Sequence, residues 1–212
     1  GVWEARAGYA CDPDNPTVHL RGGTLVYGVA GGPMLAFDPI RQLGTFEDGS
    51  TLIVHGLVTS PVSIGAGSRI SGVQFVDVSV LSGGVFAPGA SPAASTVDGA
   101  YFQESQAAIE MEIYGSILGD EYDHLTVTGE LELGGELMIL LRNYRPALNA
   151  TFDLFDWSWE ISDGTFADGV TFDTPGYAAT LDYPTGVLTI TGVPEPATLA
   201  MFGLVGGAAL LR

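Results

Sequence analysis

Turn-then-apolar units recur around Leu35, Leu52, Ile70, Phe86 and Phe102, at steps of 17, 18, 16 and 16 residues. A unit of that length is too short to bury its own apolar face, so it needs a stacked neighbour. Runs rich in Val, Ile, Leu, Thr and Phe alternate with Gly-containing turns between residues 20 and 192. Val73 to Val80 alternates apolar and polar positions, as a half-buried strand does. Only residues 105–114 are ambiguous between helix and strand. The spacing predicts an all-β chain in which residues 1–192 form a β-solenoid, or β-helix, domain. An antiparallel β-sandwich fits the same pattern over two strands per unit. Pro88, Gly89 and Pro92 mark a candidate sub-boundary near residues 82–98.

Over residues 108–141 the pattern reads as successive paired strands joined by tight turns at Gly129 and Gly134-Gly135. Leu131, Leu133 and Leu137 are expected to face inward. Glu130, Glu132 and Glu136 are expected to face out, where their charges oppose edge-to-edge association.

Charge narrows the partners. The chain has 25 Asp and Glu against 7 Lys and Arg, a formal net charge of −18. It contains no lysine, and its arginines are scattered over positions 6, 21, 41, 69, 142, 145 and 212. Nucleic-acid binding needs clustered cations on phosphate, so that partner is excluded. The single Cys11 excludes an internal disulfide framework. The chain opens on Gly1 without a basic-then-apolar leader, which reads as a mature chain or a piece of a longer product.

No catalytic residue and no metal ligand set is assigned from the sequence. Asp12-Pro13-Asp14-Asn15 departs from calcium-loop spacing at Pro16 and Thr17. Asp120, Glu121 and Asp123 read as a solvated acidic turn; Ca²⁺ is the one cofactor considered there, if neighbouring strands supply carbonyls. His19, His55 and His124 lack metal-ligand spacing and read as surface or strand-edge residues. There is no Gly-x-Ser-x-Gly elbow. A polysaccharide hydrolase or lyase on a β-solenoid is the enzymatic alternative, but acids this numerous supply carboxylate pairs by chance. Trp157 and Trp159 fall on one strand face, as a core cap or a sugar platform. Asn149-Ala150-Thr151 matches the N-glycosylation pattern.

The C-terminus carries the most specific signal. Pro194-Glu195-Pro196 precedes an apolar run from Ala197 to Leu211 that has 15 residues and no charge. As a helix that run would be about 22 Å long, against roughly 30 Å of hydrocarbon. A thinned bilayer accommodates it at a small cost per ångström. The alternative is a buried C-terminal helix. Residues 193–212 resemble a PEP-CTERM sorting signal, in which a Pro-Glu-Pro triplet precedes a short transmembrane segment and a basic cluster. Here a single Arg212 stands in the cluster's place. The resemblance implies export in a Gram-negative bacterium that makes exopolysaccharide, with a transient inner-membrane anchor. It also implies recognition of Pro194, Glu195 and Pro196 by an exosortase, which removes the tail.

A second set of motifs runs from Val85-Phe86-Ala87-Pro88-Gly89-Ala90-Ser91-Pro92 through Tyr122-Asp123-His124-Leu125-Thr126-Val127-Thr128-Gly129 to Leu133-Gly134-Gly135-Glu136-Leu137. It is similar to β-solenoid passenger regions of autotransporter-like surface proteins, with Ala93 in place of the usual glycine. Together the resemblances imply an exported, non-enzymatic surface or matrix protein, structural or adhesive in an exopolysaccharide layer or biofilm.

Overall fold

The computed structural model describes residues 2–5, 17–27, 42–58, 61–89, 92–157 and 162–195. Parallel pairing dominates. One column of strands comprises β1 (Val2–Ala5), β2 (Thr17–Tyr27), β3 (Gln42–Val58), β5 (Arg69–Phe75), β7 (Val85–Pro88), β10 (Ala108–Ile113), β13 (Glu136–Leu141) and β17 (Gly169–Phe172). A second runs from the first half of β3 through β4 (Val62–Ile64), β6 (Val78–Val80), β9 (Tyr101–Gln103), β12 (Leu131–Leu133) and β16 (Ser162–Gly164). A third runs from the end of β5 through β8 (Ala94–Val97), β11 (His124–Val127) and β15 (Phe155–Trp157). All belong to one sixteen-stranded sheet among the described residues. A separate antiparallel sheet holds β14 (Thr151–Asp153), β18 (Ala178–Asp182) and β19 (Val187–Gly192) in the order β14-β19-β18.

The expected β-solenoid and the alternative β-sandwich are both corrected. A sandwich pairs its strands antiparallel, whereas every ladder of the large sheet is parallel. A plain solenoid repeats units of constant length, and here the unit grows. Leu52 registers with Ile70, and Ile70 with Phe86, as the 18- and 16-residue steps predict. Phe86 then registers with Ile109, Ile109 with Leu137 and Leu137 with Val170, at steps of 23, 28 and 33 residues. The unit expected at Phe102 is displaced; that residue lies half-exposed on β9, opposite Ser79 and Glu132. The result is a parallel sheet curling into a half-barrel, α/β-like in its pairing but with no helix among the described residues. The C-terminal helix expected over the apolar run lies outside the described residues.

Residues 108–141 show why adjacent strands do not pair. Gly129 and Gly134-Gly135 do turn the chain, but β10 pairs with β13 and β7, β11 with β8 and β15, and β12 with β9 and β16. A parallel neighbour cannot be reached through a tight turn, so each strand waits for the chain to come round again. The side-chain alternation survives this rearrangement. Leu131, Leu133 and Leu137 are buried, Glu130 and Glu132 are exposed, and half-buried Glu136 accepts a hydrogen bond from Thr171 Oγ1. The ambiguous window resolves as strand β10, which buries Ile109, Met111 and Ile113. Residues 82–98 contribute β7 and β8 to the same sheet.

The core consists of register partners stacked along each column. Leu52, Ile70, Phe86, Ile109 and Leu137 are fully buried, and truncating any of them to alanine costs about 2–5 kcal/mol. Phe86 meets Phe75 edge-on at 5.3 Å and Tyr101 at 5.8 Å. A polar group inside is fully satisfied. The Tyr101 hydroxyl donates to Gln103 Oε1 at 2.6 Å, and Gln103 Nε2 donates to the carbonyls of Ala107, Gly134 and Glu136. Burial raises the Tyr101 hydroxyl well above its ordinary pKa.

Small residues occupy the corner that leads into the first column. Ser68, Gly84, Ala107 and Gly135 each precede a residue of one ladder, namely Arg69, Val85, Ala108 and Glu136. Gly135 has a φ of +55°, and a Cβ there would run into the Ala107 carbonyl oxygen. Ser68 Oγ, wholly buried, has no hydrogen-bond partner among the described residues. Two opposite outcomes follow for chemical denaturation. Gly135→Ala lowers stability by about 3 kcal/mol or more, through strain plus backbone displacement. Ser68→Ala leaves stability within about 1 kcal/mol of the parent or raises it, because the hydroxyl is desolvated without compensation.

Candidate functional site

The candidate sorting residues sit where the chain leaves the antiparallel sheet. β19 keeps its ladder with β18 up to the Gly192–Ala178 pair. Val193, Pro194 and Glu195 follow without regular structure and are exposed. A proline has no N–H to donate and fixes its own φ, so the ladder cannot continue through Pro194. Pro194 also packs over the turn before β18, where a Cβ added at Gly176 would meet its Cβ and Cγ at 3.2 Å. Pro196 lies outside the described residues, as does the apolar run. No helix among the described residues is long and apolar enough to cross a membrane.

The acidic turn at Asp120, Glu121 and Asp123 is not a solvated cluster of like groups. Asp120 is exposed. Glu121 Oε2 turns back on its own loop and accepts from the amides of Ser116 at 2.7 Å and Ile117 at 3.1 Å. Asp123 is only 1% exposed. Its Oδ1 accepts from the Ala93 amide at 2.9 Å and its Oδ2 from the Glu112 amide at 2.8 Å. Its own amide donates to the Glu112 carbonyl at 2.9 Å, and the His124 amide donates to the Ala93 carbonyl at 3.1 Å. Residues 123–124 are thus bonded in both directions to two other segments. A Cβ at Gly89 would lie 3.0 Å from Asp123 Oδ1, so the carboxylate fills the space that glycine leaves.

Burial is the main cause that raises the Asp123 pKa to about 7, and the nearby Glu112 charge adds to it. The two amide donors and Arg69 pull in the opposite direction. The surrounding charges are themselves paired. Arg69 Nε meets Glu110 Oε2 at 2.8 Å, while Arg142 bonds Glu112 at 2.9 Å and Asp173 at 3.3 Å. Two of the scattered arginines therefore fasten strands of the sheet to one another.

The remaining candidates disperse. Among the described residues no group of three or more His, Cys, Asp or Glu is placed to hold a metal ion. His124 is buried rather than at the surface, and opens strand β11; the His19 and His55 side chains lie outside the described residues. Asp12, Asp14 and Asn15 lie outside them as well. Trp157 belongs to the core, stacked on Phe155 at 4.2 Å with its Nε1 donating to the Tyr183 carbonyl at 2.7 Å. Trp159 lies outside the described residues. Asn149 and Thr151 are both exposed, at the entry to β14.

Sequence reasoning passed over the role of Asp123, because acids close together in a Gly-containing turn resemble solvent-facing ones. The available signal was the order of motifs. The Pro88-Gly89 stretch and Tyr122-Asp123 belong to one resemblance, and the fold brings them into contact through the Ala93 amide. Glu121 supplies a simple check on the loop it closes. In Glu121→Ala, water takes over the two exposed amides. Hydrogen exchange at Ser116 and Ile117 should therefore rise about tenfold, with global stability changed by less than about 1 kcal/mol.

Comparison of the chain with protein-family models, with curated proteins and with solved structures finds no match.

Proposed function

We propose that this chain is an exported, non-enzymatic surface or matrix protein delivered by a PEP-CTERM sorting tail. In this proposal an exosortase recognises Pro194, Glu195 and Pro196 and removes the residues beyond them. The apolar segment holds the triplet at the inner membrane until then. The observation that supports it most is the exit from β19. Pairing stops at Gly192, and Val193 to Glu195 leave the sheet exposed, with no side chain of the triplet's described part used in the core. A processing enzyme needs an extended strip free of ladder bonds, and two prolines around a glutamate keep a strip in that condition.

After processing, the parallel sheet is the functional body. Its outward Glu130 and Glu132 belong to a strongly acidic, lysine-free chain, which repels other copies of itself and anionic surfaces. Such a body suits a soluble structural or adhesive role beside exopolysaccharide. Intact mass of the protein recovered from the native cell surface tests the proposal, alongside Glu195→Ala. The parent should lack the residues beyond the triplet, and the variant should stay full-length in the membrane fraction. Full-length soluble protein in both cases would overturn it.

A further inference from the structure

We infer that the loops following β10 and β13, together with the exit from β19, form a lipid-facing edge that seats the body against a bilayer. The inference rests on the reading of the apolar run as a transient membrane anchor, and it names the face that such anchoring presents. Among the described residues, the large apolar side chains left exposed are Tyr114, Ile117, Leu118, Leu148 and Val193. All five lie on these two loops or on the exit, and none lies on a strand. Ile117 and Leu148 are more than half exposed. Single exposed apolar residues scattered over a surface need no explanation, but these are gathered.

The fold does the gathering. Parallel pairing of β10 with β13 brings the ends of both strands, and so both loops, to one edge of the first column. The Arg142 amide donates to the Ile113 carbonyl at 2.9 Å where the loops begin. Tyr122, which closes the first loop, and Tyr144, in the second, both stand edge-on to Phe152 of β14, at 5.4 Å and 6.4 Å. The Asn149 amide donates to the Ile190 carbonyl at 2.9 Å, which sets Leu148 beside the end of β19, just ahead of Val193. The first loop is also held in shape. Glu121 accepts from the Ser116 and Ile117 amides, and its own amide donates to the Ile117 carbonyl at 2.7 Å. Apolar residues on a loop fastened in this way lose little freedom on contact.

The chain itself names the occupant. Ala197 opens the uncharged run just beyond Pro196, and Glu195 is the last described residue. The two peptide links from Glu195 to Ala197 reach at most about 7 Å, so whatever takes up the run lies against the exit from β19. Charge favours lipid over a second copy, because copies of a chain with a net charge of −18 repel one another. Arg142 is bonded to Glu112 and Asp173, and exposed Asp120 and Glu195 outweigh exposed Arg145 at this edge. The contact is therefore apolar, and zwitterionic headgroups suit it better than anionic ones.

The test places the full-length chain in phosphatidylcholine vesicles, with Cys11→Ser and a single nitroxide attached through Ile117→Cys, Leu148→Cys or Ser82→Cys. Ser82 is the control, in the exposed turn before β7 at the opposite end of the first column. Flotation with the vesicles reads the anchor. Collision of the nitroxide with lipid-soluble oxygen, relative to a water-soluble nickel chelate, reads the edge. The expected result is flotation of all three chains, with an oxygen-to-nickel ratio at 117 and 148 that rises several-fold over its vesicle-free value and a ratio at 82 that does not change. Adding Leu118→Ser and Leu148→Ser to the chain labelled at 117 should return its ratio to the value at 82 while flotation persists. A ratio at 117 or 148 no higher than at 82 in floating chains would overturn the edge and leave the anchor standing, as would a ratio at 117 that survives both serines. Chains that do not float overturn the anchor reading and the edge with it. A label at 117 shielded from both probes without vesicles overturns the inference in favour of contact with a second copy.

Discussion

A strand cannot pair in parallel with the strand that follows it through a tight turn, and most features of this molecule answer to that constraint. In α/β proteins a helix makes the return. Here further strands make it, so a residue meets its register partner only after the chain has visited the other columns. Apolar burial then depends on stacking along columns, from Leu52 through Ile70, Phe86 and Ile109 to Leu137, and on no single hairpin. The antiparallel strands β14, β18 and β19 form a sheet of their own, with β15, β16 and β17 of the large sheet lying between β14 and β18 in the chain. Phe152, Leu188 and Ile190 of that sheet are buried in the shared core, so it adds to the same apolar interior.

Stacking tolerates unequal returns as long as the register residues arrive opposite one another. The connections lengthen along the chain, and the extra residues appear as loops such as 114–122. Loops that leave a parallel column must still satisfy their backbone groups. Side-chain acceptors do this repeatedly: Asp77 takes the Ala100 amide, Asp123 those of Ala93 and Glu112, Asp173 that of Leu141, and Glu121 those of Ser116 and Ile117. Part of the acidity that looks like a surface property is thus internal fastening. Asp123 is the extreme case, since it is buried and each of its carboxylate oxygens accepts a backbone amide from a different segment.

Much of this was legible before any coordinates. Strand content, the inward leucines at 131, 133 and 137, and the register of Leu52, Ile70 and Phe86 follow from period-two alternation and Gly spacing. The units beyond Phe86 were not legible, because spacing alone does not say which later apolar residue completes a parallel pair. Phe102 kept the interval and lost the partner; Ile109 had the partner without the interval. At the candidate site, the Pro-Glu-Pro triplet was fully legible as a motif. The burial of Asp123 was not, since exposure is a property of neighbours that the local sequence does not name.

The sequence by itself determined the local alphabet: short β-prone segments, glycine corners, an acidic lysine-free composition and a proline-flanked triplet ahead of an apolar run. These are short-range properties of backbone preference, side-chain polarity and charge. Tertiary structure alone decided that the pairing is parallel and which distant strands meet. It also decided that a carboxylate from an apparently ordinary acidic turn lies sealed between Ala93 and Glu112. Those outcomes depend on contacts between residues tens of positions apart, whose free energy is set by what the assembled sheet excludes from water.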